Sequence, residues 1–122
     1  MPTIVRIPHS AGGEPRTPVA EDRLVSGRPT QAVANAWSDP TGVFHSGVWE
    51  GDVGAWRVHY TEHEFCHMLA GRVRMRGDDG IETVVKAGDS FVIPAGFSGV
   101  WEVLEPARKL YAVYEPGQAP PD

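Results

Sequence analysis

Residues 63–67 read His-Glu-Phe-Cys-His and match the pattern H-E-x-x-H, in which two histidines one helical turn apart bind zinc. A catalytic zinc site needs a third protein ligand as well as a substrate cleft, and no histidine follows His67. The segment also runs straight into Val73 and Met75, among residues that favour strands. The pattern therefore leaves a zinc hydrolase as a remote alternative only.

The spacing of glycine and proline gives the same stretch a second interpretation. Gly54, Glu64 and Gly71 form one spacing pattern, in which Gly71 lies seven residues after Glu64. Residues 88–96 form a second pattern, G-x5-P-x-G. These two patterns resemble the two motifs of the cupins, whose three histidines and one glutamate bind a metal inside a small β-barrel. The resemblance places Glu64 at the glutamate and implies a barrel whose turns need glycine and proline at fixed places.

Most of the cupin ligand positions carry other residue types in this chain. The positions of the histidines and the asparagine in the two motifs hold Val58, Tyr60, Gly99 and Val103. Only Glu64 remains, and one carboxylate does not hold a transition metal without neighbouring donors. A rearranged metal site of Glu62, Glu64 and His67 stays open, because a metal needs at least three converging donors. The cofactor is therefore unknown, with a metal ion as one alternative.

Several short runs resemble a narrower group of small single-domain bacterial cupins, related to the ureidoglycine aminohydrolase cupins and to the cupin of ethanolamine utilisation. The runs that carry this resemblance are 47–50, 56–58, 60–62, 64–67, 88–89, 91–97, 101–103 and 108–111. The resemblance covers residues 21–115 and implies an all-β, single-domain cupin (RmlC-like) jelly-roll barrel of two antiparallel sheets. The aminohydrolases bind manganese through a glutamate, histidines and a glutamine, and this chain lacks a matching set.

Four residues at alternate positions are expected to face the barrel interior together: Tyr60, Glu62, Glu64 and Cys66. The nearby histidines lie on the opposite parity, unless a turn near residues 61–63 interrupts the strand. Two carboxylates this close repel each other, so the pKa of one is expected to rise towards a value useful in acid or base catalysis. Glu64, Glu62 and Tyr60 are therefore the candidate catalytic residues. A solvated hairpin end explains Glu62 equally well.

Residues on the later runs complete the candidate pocket. Trp101 is expected either to line the cavity or to fill the core. Lys109 is either solvated, as lysines on strands usually are, or reaches back over the mouth to a carboxylate, since it shares the parity of Tyr111. The candidate ligand-binding residues are Trp101, Lys109, Cys66 and Tyr111. They suit a small, polar, nitrogen-bearing metabolite whose cation pairs with Glu64 against aromatic rings.

Two functions of different class remain open. One is an enzyme of unknown reaction, of the hydrolase, lyase or isomerase type, in which Glu64 or Glu62 moves a proton with help from Tyr60. The other is a non-catalytic protein that binds or senses a small molecule in the same pocket. A redox role for Cys66 is disfavoured, because nothing near it in the sequence reliably lowers its pKa.

Short antiparallel strands are needed to position these residues, and the sequence supplies them between turn signals. Strand-forming runs lie at 43–50, 55–60, 65–76, 81–86, 90–94, 99–104 and 109–114. The stretch Gly-Asp-Asp-Gly at 77–80 is a hairpin signal, since glycine and aspartate tolerate the positive φ angles of such turns. We expect two sheets that close on each other.

Composition limits the chain to one domain. Its 122 residues are 41% hydrophobic and include 14 glycines and 11 prolines, which suits a core of short strands. The positions of the prolines predict an N-terminal arm over residues 1–30, a barrel over 31–115 and a loose tail over 116–122. The arm is expected to lie on the sheet edge of a second copy, giving a homodimer.

Charge and hydropathy exclude several classes of partner. The chain has 11 basic and 16 acidic residues, a net charge of −5, without a run of lysine or arginine, so we expect neither a nucleic acid nor an anionic membrane as partner. No segment approaches the ~18 apolar residues of a membrane span. Cys66 is the only cysteine, and the N-terminus lacks the apolar stretch of a signal peptide. We therefore expect a cytoplasmic protein.

Overall fold

The computed structural model describes residues 2–116, which form nine β-strands and no helix, and hence no helix that could cross a membrane. The strands are β1 (Thr17–Pro18), β2 (Leu24–Ser26), β3 (Thr30–Ser38), β4 (Phe44–Gly51), β5 (Gly54–His59), β6 (His63–Gly77), β7 (Glu82–Lys86), β8 (Ser90–Ile93) and β9 (Ser98–Tyr114). The all-β prediction is confirmed. Residues 117–122 of the predicted tail lie outside the described residues.

The strands pair antiparallel in one curled sheet with the order β1-β3-β4-β9-β5-β2. β6 pairs with β9 along its length and carries β7 and β8 on its other edge. β9 is the central strand, because its first half pairs with β5, its second half pairs with β4, and both halves pair with β6. β4, β5, β6 and β9 therefore surround a common interior.

β9 joins two runs that the sequence pattern predicted as separate strands. Its pairing with β5 ends at Val103 and its pairing with β4 begins at Ala107. Pro106 lies in the interval between these two pairings. A proline is tolerated there, because the ladder needs no N–H donor at that position. The predicted strands at 99–104 and 109–114 are therefore halves of one strand, and the glutamate and proline between them mark a change of partner.

Gly71 permits β6 to approach this part of β9. The β6–β9 register shifts between Met68 and Val73, and Gly71 has a φ of +81° within that interval. A Cβ atom at Gly71 would lie 2.1 Å from the carbonyl oxygen of Pro106, which is far inside van der Waals contact. Both the backbone angle and the close approach therefore require glycine here.

The interior is filled by side chains that alternate along β6 and β9. The buried apolar residues of these two strands are Cys66, Met68, Val73, Met75, Trp101, Val103 and Ala107. Trp49 of β4 packs its ring edge-on against Trp101 at 5.6 Å between centroids, and it lies 6.3 Å from Trp56 of β5. Three tryptophans thus join three strands around one end of the core.

The H-E-x-x-H segment is part of a strand. His63 and His67 lie in β6, where Glu64 and Cys66 are buried while Phe65 between them is 48% exposed. This alternation has the period of two that places successive side chains on opposite faces of a sheet. The zinc hydrolase interpretation, which needs two histidines on one face of a helix, is therefore wrong.

β3 was absent from the strand runs predicted from the sequence. Its alanines at 32, 34 and 36 are weak strand formers, yet it pairs with β4 across seven positions. Within the predicted arm, β1 pairs with β3 and β2 pairs with β5 of the same chain. The division of the chain at residue 30 and the homodimer remain predictions.

Replacing Gly71 by alanine tests the close approach of β6 to β9. Gly80→Ala is the matched control, since Gly80 has a similar φ of +86° with nothing within 4 Å of a Cβ atom. We expect Gly80→Ala to lower the free energy of unfolding by about 1–2 kcal/mol through backbone strain alone. Gly71→Ala should cost at least ~1 kcal/mol more because of the clash. Equal losses in urea denaturation would show that the approach is not tight.

Candidate functional site

The interior opens into a cavity of about 310 Å³. Its wall is formed by β3, β4, β5, β6 and β9, and by the turn between β5 and β6. Six of the residues selected from the sequence line this cavity: Tyr60, Glu62, Glu64, Trp101, Lys109 and Tyr111. Cys66, which was also selected, contacts Glu64 and Lys109 from within the core.

A buried ion pair lies at the inner end of the cavity. The Nζ atom of Lys109 is 2.6 Å from Oε2 of Glu64, and the two side chains are only 6% and 9% exposed. Glu64 is paired with Val113 and Lys109 with Met68 in the β6–β9 ladder, so the two long side chains bridge four residues along the strands. Both point inward because their positions have the buried parity of their strands.

Cys66 is hydrogen-bonded to both members of this pair. Its thiol donates to Oε2 of Glu64 over 3.0 Å, and Nζ of Lys109 lies 3.6 Å from its sulfur. Burial raises the pKa of Cys66 to about 12, with the nearby charge of Lys109 offsetting part of that increase. The thiol is therefore protonated at neutral pH and acts as a hydrogen-bond donor, not as a nucleophile.

Two indole rings complete the surroundings of the Lys109 ammonium. Nζ lies 4.4 Å from the ring centroid of Trp101 and 5.3 Å from that of Trp49, both within the range of a cation–π interaction. Trp49 is held in place because its Nε1 donates to Oε1 of Gln31 over 2.8 Å. The ammonium is thus enclosed by a carboxylate and two aromatic rings.

The protonation states in the cavity follow from burial and from the ion pair. Burial lowers the pKa of Lys109, but the charge of Glu64, the nearby Tyr60 and Cys66 and the hydrogen bond to Glu64 together raise it by more, so the net pKa lies above its ordinary value. Lys109 is therefore a permanent cation and not a nucleophilic amine. Burial also raises the pKa of Tyr60, and the charge of Glu64 adds to that increase, so its phenol stays protonated.

Glu62 and Tyr111 lie nearer the opening. Glu62 belongs to the turn between β5 and β6 and accepts a hydrogen bond from the Thr61 hydroxyl over 3.0 Å. The hydroxyl of Tyr111 donates to Oδ1 of Asn35 on β3 over 2.7 Å, and burial raises the pKa of Tyr111. Glu62 and Glu64 therefore have different surroundings: Glu64 is buried in an ion pair, and Glu62 is half-buried on a turn.

Gln31 and Arg23 also line the cavity, although no sequence pattern predicted either one. Gln31 lies on β3, and Arg23 immediately precedes β2. Both precede residue 43, where the predicted strand runs began, and no motif marks either one. Recognition of residues 30–38 as a strand is the one signal that could have drawn attention to Gln31.

The rearranged metal site of Glu62, Glu64 and His67 is not formed. His67 lies on the face of β6 opposite to Glu64, with its Nδ1 atom 2.7 Å from the hydroxyl of Ser90. Among residues 2–116, no three histidine, cysteine, aspartate or glutamate side chains converge to hold a metal ion. The Lys109 ammonium stands beside the one carboxylate of the cupin set, so the residues present do not fit a resident metal.

Comparison with known proteins identifies the family. The family model for the EutQ-like cupin domain matches residues 38–111. The chain belongs to this family. The predicted resemblance to small bacterial cupins is therefore confirmed, and with it the cupin jelly-roll fold. A comparison with curated proteins gives no match.

Solved structures similar to this EutQ-like cupin domain support the same fold. The EutQ protein of Clostridium difficile is 17% identical over 71% of this chain, with a TM-score of 0.64. A DUF861 family protein of unknown function from Pseudomonas syringae is 24% identical over 80%, with a TM-score of 0.71. The chain spans 64% and 43% of these two proteins. A DUF861 family protein from Thermotoga maritima is 38% identical over 52% of this chain and 73% of its own, with a TM-score of 0.52.

The state of Cys66 can be measured by alkylation, because it is the only cysteine in the chain. Burial and the raised pKa predict that iodoacetamide at pH 8 modifies the native protein at least 100-fold more slowly than the urea-unfolded protein. At a pKa of about 12 the thiolate is a very small fraction at that pH. Equal rates, followed by mass spectrometry, would place the thiol in contact with solvent.

Proposed function

We propose that this EutQ-like cupin domain binds a small, polar, nitrogen-bearing metabolite in the cavity. The observation that carries the proposal is an unused oxygen of Glu64. Lys109 and Cys66 both bond to Oε2, which leaves Oε1 without a hydrogen-bond partner among residues 2–116, although it is not sealed from the cavity. An N–H group of a ligand is the natural partner of such a carboxylate oxygen.

The charge of the lining supports a neutral or zwitterionic ligand. Two acidic side chains, Glu62 and Glu64, and two basic side chains, Arg23 and Lys109, line the cavity. The formal charges of these four groups cancel, so a strongly charged molecule gains no net attraction from them. The pairing of Glu64 with Lys109 also removes the need for a ligand cation that the sequence analysis assigned to this carboxylate.

The walls and the size of the cavity support a ligand with a compact apolar face. Trp49, Trp56 and Trp101 line one side, and a volume of about 310 Å³ is at the lower end of the range for small-molecule sites. The hydroxyl of Tyr60 lacks a hydrogen-bond partner among the described residues and remains accessible. Tyr60, which lies between β5 and β6 and also lines the cavity, is thus a second point for polar recognition.

Binding is better supported than proton transfer. A general acid or base must change its protonation state during the reaction, near the working pH. The raised pKa values of Lys109 and Tyr60 keep both groups protonated, and Glu64 already accepts two hydrogen bonds. The enzyme alternative therefore depends on Glu62. Chemical conversion of a compound that binds in the cavity would favour that alternative.

A thermal-shift screen tests the proposed binding. The compounds should be small amides and free amino acids, because these are neutral or zwitterionic and present N–H groups at the right size, with the cationic amine ethanolamine included for comparison. A compound that binds only the native state should raise the midpoint of unfolding. At a concentration of 100 times its Kd it should add about 2.7 kcal/mol to the free energy of unfolding. A screen in which no compound at millimolar concentration shifts the midpoint would contradict the proposal.

Tyr60→Phe tests the position of any compound that binds. We expect calorimetry to show affinity weakened by about 0.5–1.5 kcal/mol, the usual contribution of one neutral hydrogen bond. Tyr114→Phe is the matched control, since Tyr114 is 48% exposed and stacks on His63 instead of lining the cavity. Equal effects of the two substitutions would place the compound elsewhere.

A further inference from the structure

The positions that carry metal ligands in other cupins still converge in this fold. Val58, Tyr60 and Glu64 all line the cavity. Gly99 is the direct strand partner of Val58 in the β5–β9 ladder. The arrangement of the four positions is therefore preserved, while three of them lack a side chain that binds metal as a strong donor.

Packing of the backbone closes one of these positions. A Cβ atom at Gly99 would lie 2.2 Å from the carbonyl oxygen of Arg76 and 2.9 Å from the Cα atom of Gly77. Any side chain at Gly99 would push β9 away from β6, because the obstructing atoms belong to the backbone and not to a flexible side chain. A histidine here would require a different backbone, so the lost ligand is part of the packing of β6 on β9.

A cation nevertheless stands beside the remaining glutamate. Nζ of Lys109 lies 2.6 Å from Glu64 Oε2, and the residue is 4% exposed. The rings of Trp101 and Trp49, at 4.4 and 5.3 Å, offer the faces that attract an ammonium group. Carboxylate, thiol and rings thus form a compartment that fits one ammonium ion closely.

We propose that the ammonium group of Lys109 is the resident cation of this cavity, in the place that a metal ion takes in other cupins, and that the cavity takes up its ligand without a metal. A tethered ammonium differs from a metal in two ways. It cannot be removed by a chelator, and it offers N–H donors instead of open coordination positions. A ligand polar group near Lys109 would therefore be held by hydrogen bonds.

Titration of the wild-type protein with MnCl₂ and ZnCl₂ tests this proposal without any organic ligand. We expect no stoichiometric metal binding in the cavity and no change of the midpoint of unfolding with EDTA. Bound Mn²⁺ broadens nearby NMR signals, so the indole signals of Trp49, Trp56 and Trp101 should stay as sharp as that of Trp37, which is 41% exposed outside the cavity. Selective broadening of the three cavity indoles would overturn the proposal.

A double-mutant cycle tests the ammonium as the partner of Glu64. Lys109→Met and Glu64→Gln should each lower the midpoint of unfolding, and the double variant should unfold at a higher temperature than either single variant. The same cycle on the exposed pair Arg57–Asp78, with Arg57→Met and Asp78→Asn, is the control and should show additive shifts. Additive losses at Lys109 and Glu64 would contradict the proposal.

These two experiments are independent of the ligand proposed above. If the single variants do not fold, the Mn²⁺ measurement on the wild-type protein decides the question alone. If no organic compound binds in the screen, the metal titration and the double-mutant cycle can still support the proposal for Lys109. If metal binds in the cavity, the screen can still identify an organic ligand. The two proposals can therefore fail separately.

Discussion

The ion pair between Glu64 and Lys109 is the interaction around which the cavity is built. Removing two charges from water costs several kcal/mol for each ion, and that cost is offset only where geometry is good and the remaining polar atoms are satisfied. Here the pair is close, at 2.6 Å, and Cys66 and two tryptophan rings surround it. Removing one partner alone would leave a buried, uncompensated charge, at a cost of about 3–5 kcal/mol.

The strands that bear this pair also set the shape of the cavity. β9 runs through the centre of the sheet and keeps one inward parity across its change of partner, so that Trp101 and Lys109, eight residues apart, face the same interior. Gly71 and Gly99 let β6 lie against β9 at the two places where a side chain would separate them. The close contact of these strands is what brings Glu64 within reach of Lys109.

Sequence patterns predicted the fold and the inward-facing residues well, because both depend on local periodicity. The alternation along residues 60–66 placed Glu64 and Cys66 inside, and the structure has them there. The parity of Lys109 left open both a solvated side chain and a contact with a carboxylate, and in the structure it pairs with Glu64. The same alternation placed His67 on the opposite face, where the structure has it, but periodicity alone could not decide whether Glu62 belongs to the strand or to the turn before it.

Other features depended on pairing partners that no single segment reveals. β3 has an alanine-rich sequence that is a weak strand signal by itself, and it becomes a strand because β4 offers it a complete ladder. Gln31 on β3 was missed for that reason, whereas Arg23 precedes β2 within the predicted arm. The H-E-x-x-H match remained only a remote alternative, since a five-residue motif carries no information on whether its segment is a helix or a strand.

The charge state of Lys109 is the most direct test of this description. The chain has only two lysines, Lys86 and Lys109, so ¹⁵N NMR of the side-chain nitrogens resolves them, and Lys86→Arg assigns the signals. The ion pair predicts that Lys109 keeps the signal of a protected ammonium group above pH 10.5, its ordinary pKa. An amine signal for Lys109 at or below that pH would show that burial outweighs the ion pair and the other groups around the ammonium, and would contradict the central place of the pair.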